Sequence, residues 1–327
     1  MRFLLRSAFG VGILLCAASC GGTPVSTAPS APSPVPSPAP QPTPTPSPTP
    51  APAPPPQPAS PLPLGQAAGA TIACPSNLGP PANTSCTSLA VICPSIAGAT
   101  ATLRISRPIA ATSNRGTIVL TTGGDGTNFQ DSPLTQDMIS TFTRDGLTVV
   151  QLRWDPPGIW GGPRARTLGC RYATAVRWIY DNVHNADRSR LFAAQGGSGG
   201  SAQIAMGLGH YGIDFIDLAN LGGGPPNCPL CSPDGQNLFE PLMPDRDPTH
   251  TGNSNRDPVV NYPTTTVRFF LGDQDPNSNG TADSAREYYA AITSAKSFTN
   301  VPNTPHVVES TKNGMDQYIA SVRAAMK

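Results

Sequence analysis

Short β-branched runs alternate with amphipathic segments along most of the chain, and few architectures accept that order. SLAVIC (88–93), ATATLRIS (99–106), GTIVLTT (116–122) and LTVVQLRW (147–154) are bounded by Gly, Pro, Ser or Asn and read as strands. SRLFAAQ (189–195), IDFIDLANLGG (213–223) and TVRFFLGDQD (266–275) continue the series. Between and after them lie helical segments. SPLTQDMISTFTRDG (132–146) opens on a Ser N-cap with a proline in the first turn and closes on Gly146. GCRYATAVRWIYDNV (169–183) puts Tyr172, Val176, Ile179 and Val183 on one face. SAQIAMGLGHYG (201–212), TADSAREYYAAITSA (281–295) and GMDQYIASVRAAM (314–326) complete the set. This alternation predicts an α/β fold, a mainly parallel central sheet flanked by helices. Residues 225–263, rich in Pro, Asn and Asp, break the rhythm and read as an insertion or cap after the sixth of these strands.

The beginning of the chain has a different character. Arg2 and Arg6 are followed by no formal charge until Arg104. AFGVGILLCAA is apolar but too short for a membrane span, so residues 1–19 read as a signal peptide. The small residues before Cys20 resemble a bacterial lipobox, with Ala17 where that motif usually has Leu. The resemblance implies a lipid on Cys20 and a membrane-anchored lipoprotein facing the periplasm or cell surface. Ordinary signal cleavage nearby would instead release a secreted protein. Residues 20–65 form a linker in which prolines nearly alternate from Thr23 to Pro63. Such a segment buries no core and favours extended polyproline II, reaching on the order of 100 Å at ~3.1 Å per residue. Residues 66–327 are left for the globular domain. A net charge of +1 supplies no basic field, which argues against a nucleic-acid partner.

Setting aside Cys16 and Cys20 leaves Cys74, Cys86, Cys93, Cys170, Cys228 and Cys231, an even set that suggests disulfides in an exported protein. At least one local bridge is expected among Cys74, Cys86 and Cys93. The pair in CPLC (228–231) reads as a structural loop bridge, since no matching Cys/His spacing supports a zinc site.

Gly196-Gly197-Ser198-Gly199-Gly200 sits between an apolar strand and an apolar helix. A strand that turns at once into a helix brings the positions two before and two after the serine together, so both must be small. The serine is then forced into a strained conformation and points into a cleft. Ser198 is therefore the candidate nucleophile. The competing reading, a phosphate-cradling loop, has no P-loop Lys to support it. A serine nucleophile needs a base and an acid that orients the base. The chain has four histidines. His184 precedes the elbow strand, His210 ends the following helix, and His250 lies in the Pro/Asn/Asp-rich insertion. His306 falls after the last strand, at the sheet end where Ser198 is expected, and is the candidate base. Asp275 and Asp273, after TVRFFLG, are the candidate acids.

The order Ser198, Asp, His306 resembles the α/β-hydrolase superfamily, from about residue 86 to the end. In many members the acid ends a G-x-x-D turn, and Gly272-Asp273-Gln274-Asp275 matches, which favours Asp275 over Asp273. The resemblance implies an oxyanion hole built from the Gly199 N–H and one from TTGGDGTNF (121–129), Gly124 first and Asp125 second. Thr122 stands where members often carry His before the two glycines. Trp160 and Trp154, in RWDPPGIWGGP, are candidate pocket-lining residues. The implied activity is hydrolysis of a small-molecule or polymer ester, without cofactor or metal, by a monomer. A serine peptidase on the same fold and a non-catalytic surface-binding lipoprotein are the rival readings. A calcium loop over Asp275, Asn277, Asn279, Gly280 and Asp283 competes for the same stretch, but Arg286 stands where a bidentate Glu belongs.

Overall fold

The computed structural model describes residues 61–75, 83–94, 96–108, 114–159, 165–225, 261–276 and 281–326. Within them, nine strands form one sheet in the order β1-β2-β3-β5-β4-β6-β7-β8-β9. These are β1 (Gln66–Ile72), β2 (Thr84–Ile92), β3 (Ala99–Ser106), β4 (Gly116–Thr121), β5 (Leu147–Trp154), β6 (Leu191–Gly197), β7 (Leu218–Gly222), β8 (Thr266–Gly272) and β9 (Lys296–Val301). The first three pair antiparallel, and β3 is antiparallel to β5 as well. From β5 to β9 every pairing is parallel. Helices α1 (Pro133–Arg144), α2 (Ala165–Asn182), α3 (Gly199–Tyr211), α4 (Thr281–Ala291) and α5 (Lys312–Ala325) cover the sheet.

The period of the strands decides which helix packs where. In β4, Ile118 and Leu120 point to one face and Val119 to the other, and all three are fully buried. Ile118 and Leu120 join a core layer with Met138, Ile139 and Phe142 of α1 and Met315, Tyr318 and Val322 of α5. Val119 joins a second layer with Tyr172, Val176 and Ile179 of α2, Ile204 and Met206 of α3, and Tyr288 of α4. Burial on both faces is what a parallel sheet requires. Local signals set the helix ends: the Ser132 hydroxyl accepts from the Thr135 N–H at 3.2 Å, and Gly146 takes a φ of +90° beyond α1.

Two strands were not foreseen. β1 pairs with β2 over its whole length, and β9 forms the opposite edge. The stretch 213–223 is a strand only from Leu218, because Ile213 to Asp217 make the turn into it. The chain leading into β1 is fastened to the helices: the Leu62 N–H donates to the His210 carbonyl at 2.7 Å, and the Gly65 N–H to Thr174 Oγ1 at 2.8 Å. Disulfides Cys74–Cys86 and Cys93–Cys170 tie β1 to β2 and β2 to α2. Cys228 and Cys231, like most of the 225–263 segment, lie outside the described residues, as do the signal, Cys20 and the linker up to residue 60. Among the described residues no helix is long and apolar enough to cross a membrane.

The two bridges span 77 and 12 residues. Chain-entropy arguments give roughly 4.5 kcal/mol for the longer loop and roughly 3 kcal/mol for the shorter. Replacing Cys93 and Cys170 by Ser therefore destabilises the domain more than replacing Cys74 and Cys86. Urea melts of the two double variants check the ranking.

Candidate active site

β6 runs without a break into α3 through Ser198, whose φ of 51° and ψ of −116° lie outside the ordinary regions for a residue with a side chain. The turn is pinned on both sides. The Ser198 N–H donates to the Gly222 carbonyl at 2.7 Å, and the Ser201 hydroxyl reaches the Gly196 and Gly222 carbonyls at 2.7 and 2.8 Å. A Cβ on Gly196 would lie 2.5 Å from the Gly200 carbonyl carbon, and one on Gly200 2.8 Å from the Thr121 carbonyl oxygen, so strand meets helix only because Gly196 is bare and the helix meets the end of β4 only because Gly200 is. Ser198 consequently stands at the N-terminus of α3, where helix N–H groups favour developing negative charge.

Two other loops reach the same spot. The turn after β8 carries Asp275, whose N–H closes onto the Gly272 carbonyl at 3.2 Å. The loop after β9 carries His306. The structure brings His306 Nε2 to 3.0 Å from Ser198 Oγ, and His306 Nδ1 to 2.9 Å from Asp275 Oδ2. Asp275 is 2 % exposed in its side chain and His306 21 %, so the acid is sealed while the imidazole stays partly open to solvent. Asp273 does something else: its Oδ1 accepts from the Thr304 N–H at 3.2 Å and so shapes the loop that leads to His306. In the calcium reading, Asn277, Asn279 and Gly280 lie outside the described residues. Asp275 turns to His306 instead, and Asp283 pairs with Arg286 at 3.0 Å.

The loop after β4 packs directly on the elbow. A Cβ on Gly123 would lie 3.3 Å from that of Ser198, and one on Gly199 2.8 Å from the Gly124 nitrogen. Gly124 itself takes a φ of +60°. A turn from Gly123 to Gly126 closes the loop, and Asp125 accepts through its carbonyl from the Ile159 N–H at 2.9 Å and through Oδ1 from Thr127.

Trp154 is corrected by the structure. It is fully buried, and its indole N–H donates to Gln203 Oε1 at 3.1 Å, so it offers no surface to a substrate. Its role is to brace this loop, with its own backbone N–H on the Gly126 carbonyl at 2.9 Å. Trp160 lies outside the described residues.

The other histidines stand apart. His184 is buried near the start of β4, its ring nitrogens on Thr117 Oγ1 and the Asp187 carbonyl. His210 is buried at the far end of α3, and His250 is outside the described residues. Sequence reasoning missed Glu309. It follows His306 in a 3-10 turn, Val308–Ser310, and its carboxyl packs against Gly197.

In strand terms, a sheet whose first three strands alternate in direction turns parallel from β5 onward, carries its sharp strand–helix turn after β6, and sets an acid and a histidine beyond the two strands at the edge. The fold is that of the α/β hydrolases. Est1E from Butyrivibrio proteoclasticus superposes with a TM-score of 0.50 at 13 % identity, over 73 % of this chain and 97 % of that one. A cold-adapted esterase from an Arctic intertidal metagenomic library, in a PEG-bound complex, gives 0.48 at 13 % identity, over 78 % and 100 %. An alpha-beta serine hydrolase homologue from Coxiella burnetii gives 0.46 at 12 % identity, over 72 % and 96 %. No family model matches the sequence, and no curated protein does.

Two variants separate crowding from backbone strain. Gly199→Ala drives a methyl into the Gly124 backbone and costs about 1–3 kcal/mol by overpacking. At Gly124 a methyl meets nothing within 4 Å, so Gly124→Ala carries only the positive-φ cost of about 1–2 kcal/mol. Thermal melts and a crystal structure of each variant distinguish a displaced loop from an undisturbed one.

Burial, offset in part by the Asp187 carbonyl, holds the His184 imidazole below its ordinary pKa. The unfolded chain then binds that proton more readily. The contribution is intact above about pH 6.5 and is lost as the pH falls below it. Denaturant melts from pH 8 to pH 5 show this acid limb, and His184→Gln flattens it.

Proposed function

We propose that the chain is an exported serine hydrolase that cleaves carboxylic esters through an acyl-enzyme on Ser198. The observation that carries the reading is the His306 imidazole, hydrogen-bonded at once to Ser198 Oγ and Asp275. In this scheme Ser198 Oγ attacks the ester carbonyl carbon as His306 Nε2 takes its proton. Asp275 holds the ring through Nδ1 and stabilises the imidazolium. The carbonyl oxygen, now negative, is met by the Gly199 N–H and by Gly124 across the bare contact between the two loops. The imidazolium returns its proton to the leaving alcohol. Water, deprotonated by His306, then attacks the acyl carbon, and Ser198 recovers its proton as the acid departs. Asp273 is assigned to the loop and not to the proton path, since its carboxylate is on Thr304.

Ester substrates are favoured over peptides by analogy of fold with Est1E. Export is supported by two disulfides, which persist in oxidising compartments. Lipidation at Cys20, and with it a membrane anchor, remains part of the proposal, as does a pocket wall at Trp160.

A fluorophosphonate probe tests the scheme on the full chain. It labels the wild type, and Ser198→Ala abolishes labelling. Asp275→Asn slows turnover of p-nitrophenyl esters about 10³–10⁴-fold, whereas Asp273→Asn stays within about tenfold. Equal losses for the two aspartates would reassign the acid. An unlabelled wild type at mildly alkaline pH would leave a binding protein on a hydrolase fold. Peptide amides run beside esters of varied acyl length decide between the ester and peptide readings.

A further inference from the structure

Glu309 is an acid at the site that the scheme above does not use. It lies three residues beyond His306, while its carboxyl has crossed to the residue before Ser198. A Cβ placed on Gly197 would sit 2.5 Å from Glu309 Oε2 and 2.8 Å from its Cδ. The carboxyl therefore fills the volume in which position x of G-x-S-x-G would hold its own side chain. Oε2 is sealed from solvent and has no hydrogen-bond partner among the described residues. Burial pushes the Glu309 carboxyl up from its ordinary pKa, while a hydrogen bond from its own backbone N–H and the neighbouring His306 pull it the other way. Burial of a carboxyl disfavours its charged form. From α5, Tyr318 faces the same region: its fully buried hydroxyl packs at Gly222, the residue that receives the Ser198 N–H.

Two chain segments 108 residues apart must meet for His306 to bond Ser198. Glu309 spans the same gap one step behind that bond, from the histidine loop to the elbow backbone. We propose that Glu309 is a positioning residue whose carboxyl stands in for the side chain absent at Gly197 and sets the spacing between the His306 loop and Ser198. The inference rests on the reading of Ser198 as nucleophile and His306 as its base.

Reciprocal crowding tests it. Steady-state kinetics on a p-nitrophenyl ester, fluorophosphonate labelling rates and melting temperatures are measured for the full chain and its variants. Glu309→Ala empties the volume and lowers kcat about 10- to 100-fold, with KM changed by no more than about twofold. Glu309→Gln keeps the shape without the acid and restores kcat to within about threefold of wild type. Gly197→Ala forces a methyl against the carboxyl and lowers kcat by a similar factor. Gly197→Ala combined with Glu309→Ala recovers about tenfold over Gly197→Ala alone, because the methyl then occupies vacated space. The double variant and Gly197→Ala carry the test by themselves if the cavity in Glu309→Ala prevents folding.

A double variant no better than Gly197→Ala overturns the inference. So does a Glu309→Ala enzyme with wild-type kcat. Glu309→Gln as slow as Glu309→Ala would overturn it in favour of a charge effect. These outcomes are distinct from failure of the underlying scheme, which an unlabelled wild type would signal before any Glu309 variant is made.

Discussion

The site hangs on one close approach, that of Gly196 to Gly200. Strand and helix can turn through a single residue because Gly196 has no side chain to strike the Gly200 carbonyl and Gly200 none to strike Thr121, and that turn puts Ser198 in its unusual backbone angles. The cost is met by contacts that over-determine the geometry. Gly222 receives the Ser198 N–H, Ser201 bridges two carbonyls, and the β4 loop presses on Gly199 from the other side. The serine is presented because its backbone has no other place to go.

The parallel sheet does the rest of the assembly. Strands that all run the same way from β5 to β9 deliver their following loops to one edge. Asp275 arrives after β8 and His306 after β9, and each needs only a short turn to reach Ser198. The cis arrangement of three loops is thus a property of the topology, while the hydrogen-bond lengths are set by local devices such as the Asp273–Thr304 bond.

Strands with strong β-branched runs, the helices with capped ends, and the elbow were legible in the sequence because each has a local physical signature. The misses were of two kinds. β1, QAAGATI, is small and largely exposed, and β9, KSFTNV, is a polar edge, so neither shows the burial pattern that marks the central strands. Trp154 looked like a pocket residue because an aromatic at the sheet edge that carries Ser198 has two uses. Only its bond to Gln203, 49 residues away, separates them. Glu309 was invisible for the same reason: its neighbour Gly197 is remote in sequence, and nothing in VVES announces a buried acid. Asp273 and Asp275, two residues apart, differ in side-chain direction around one turn, one toward Thr304 and the other toward His306.

The fastening of Leu62 to His210 has a consequence for orientation. Ser198 begins α3 and His210 lies near its end, so the helix itself, about 20 Å long at 1.5 Å per residue, separates them. The first described residues therefore meet the domain at the end of α3 opposite to the serine, and the contact that fastens them leaves the loops around Ser198 out of its reach.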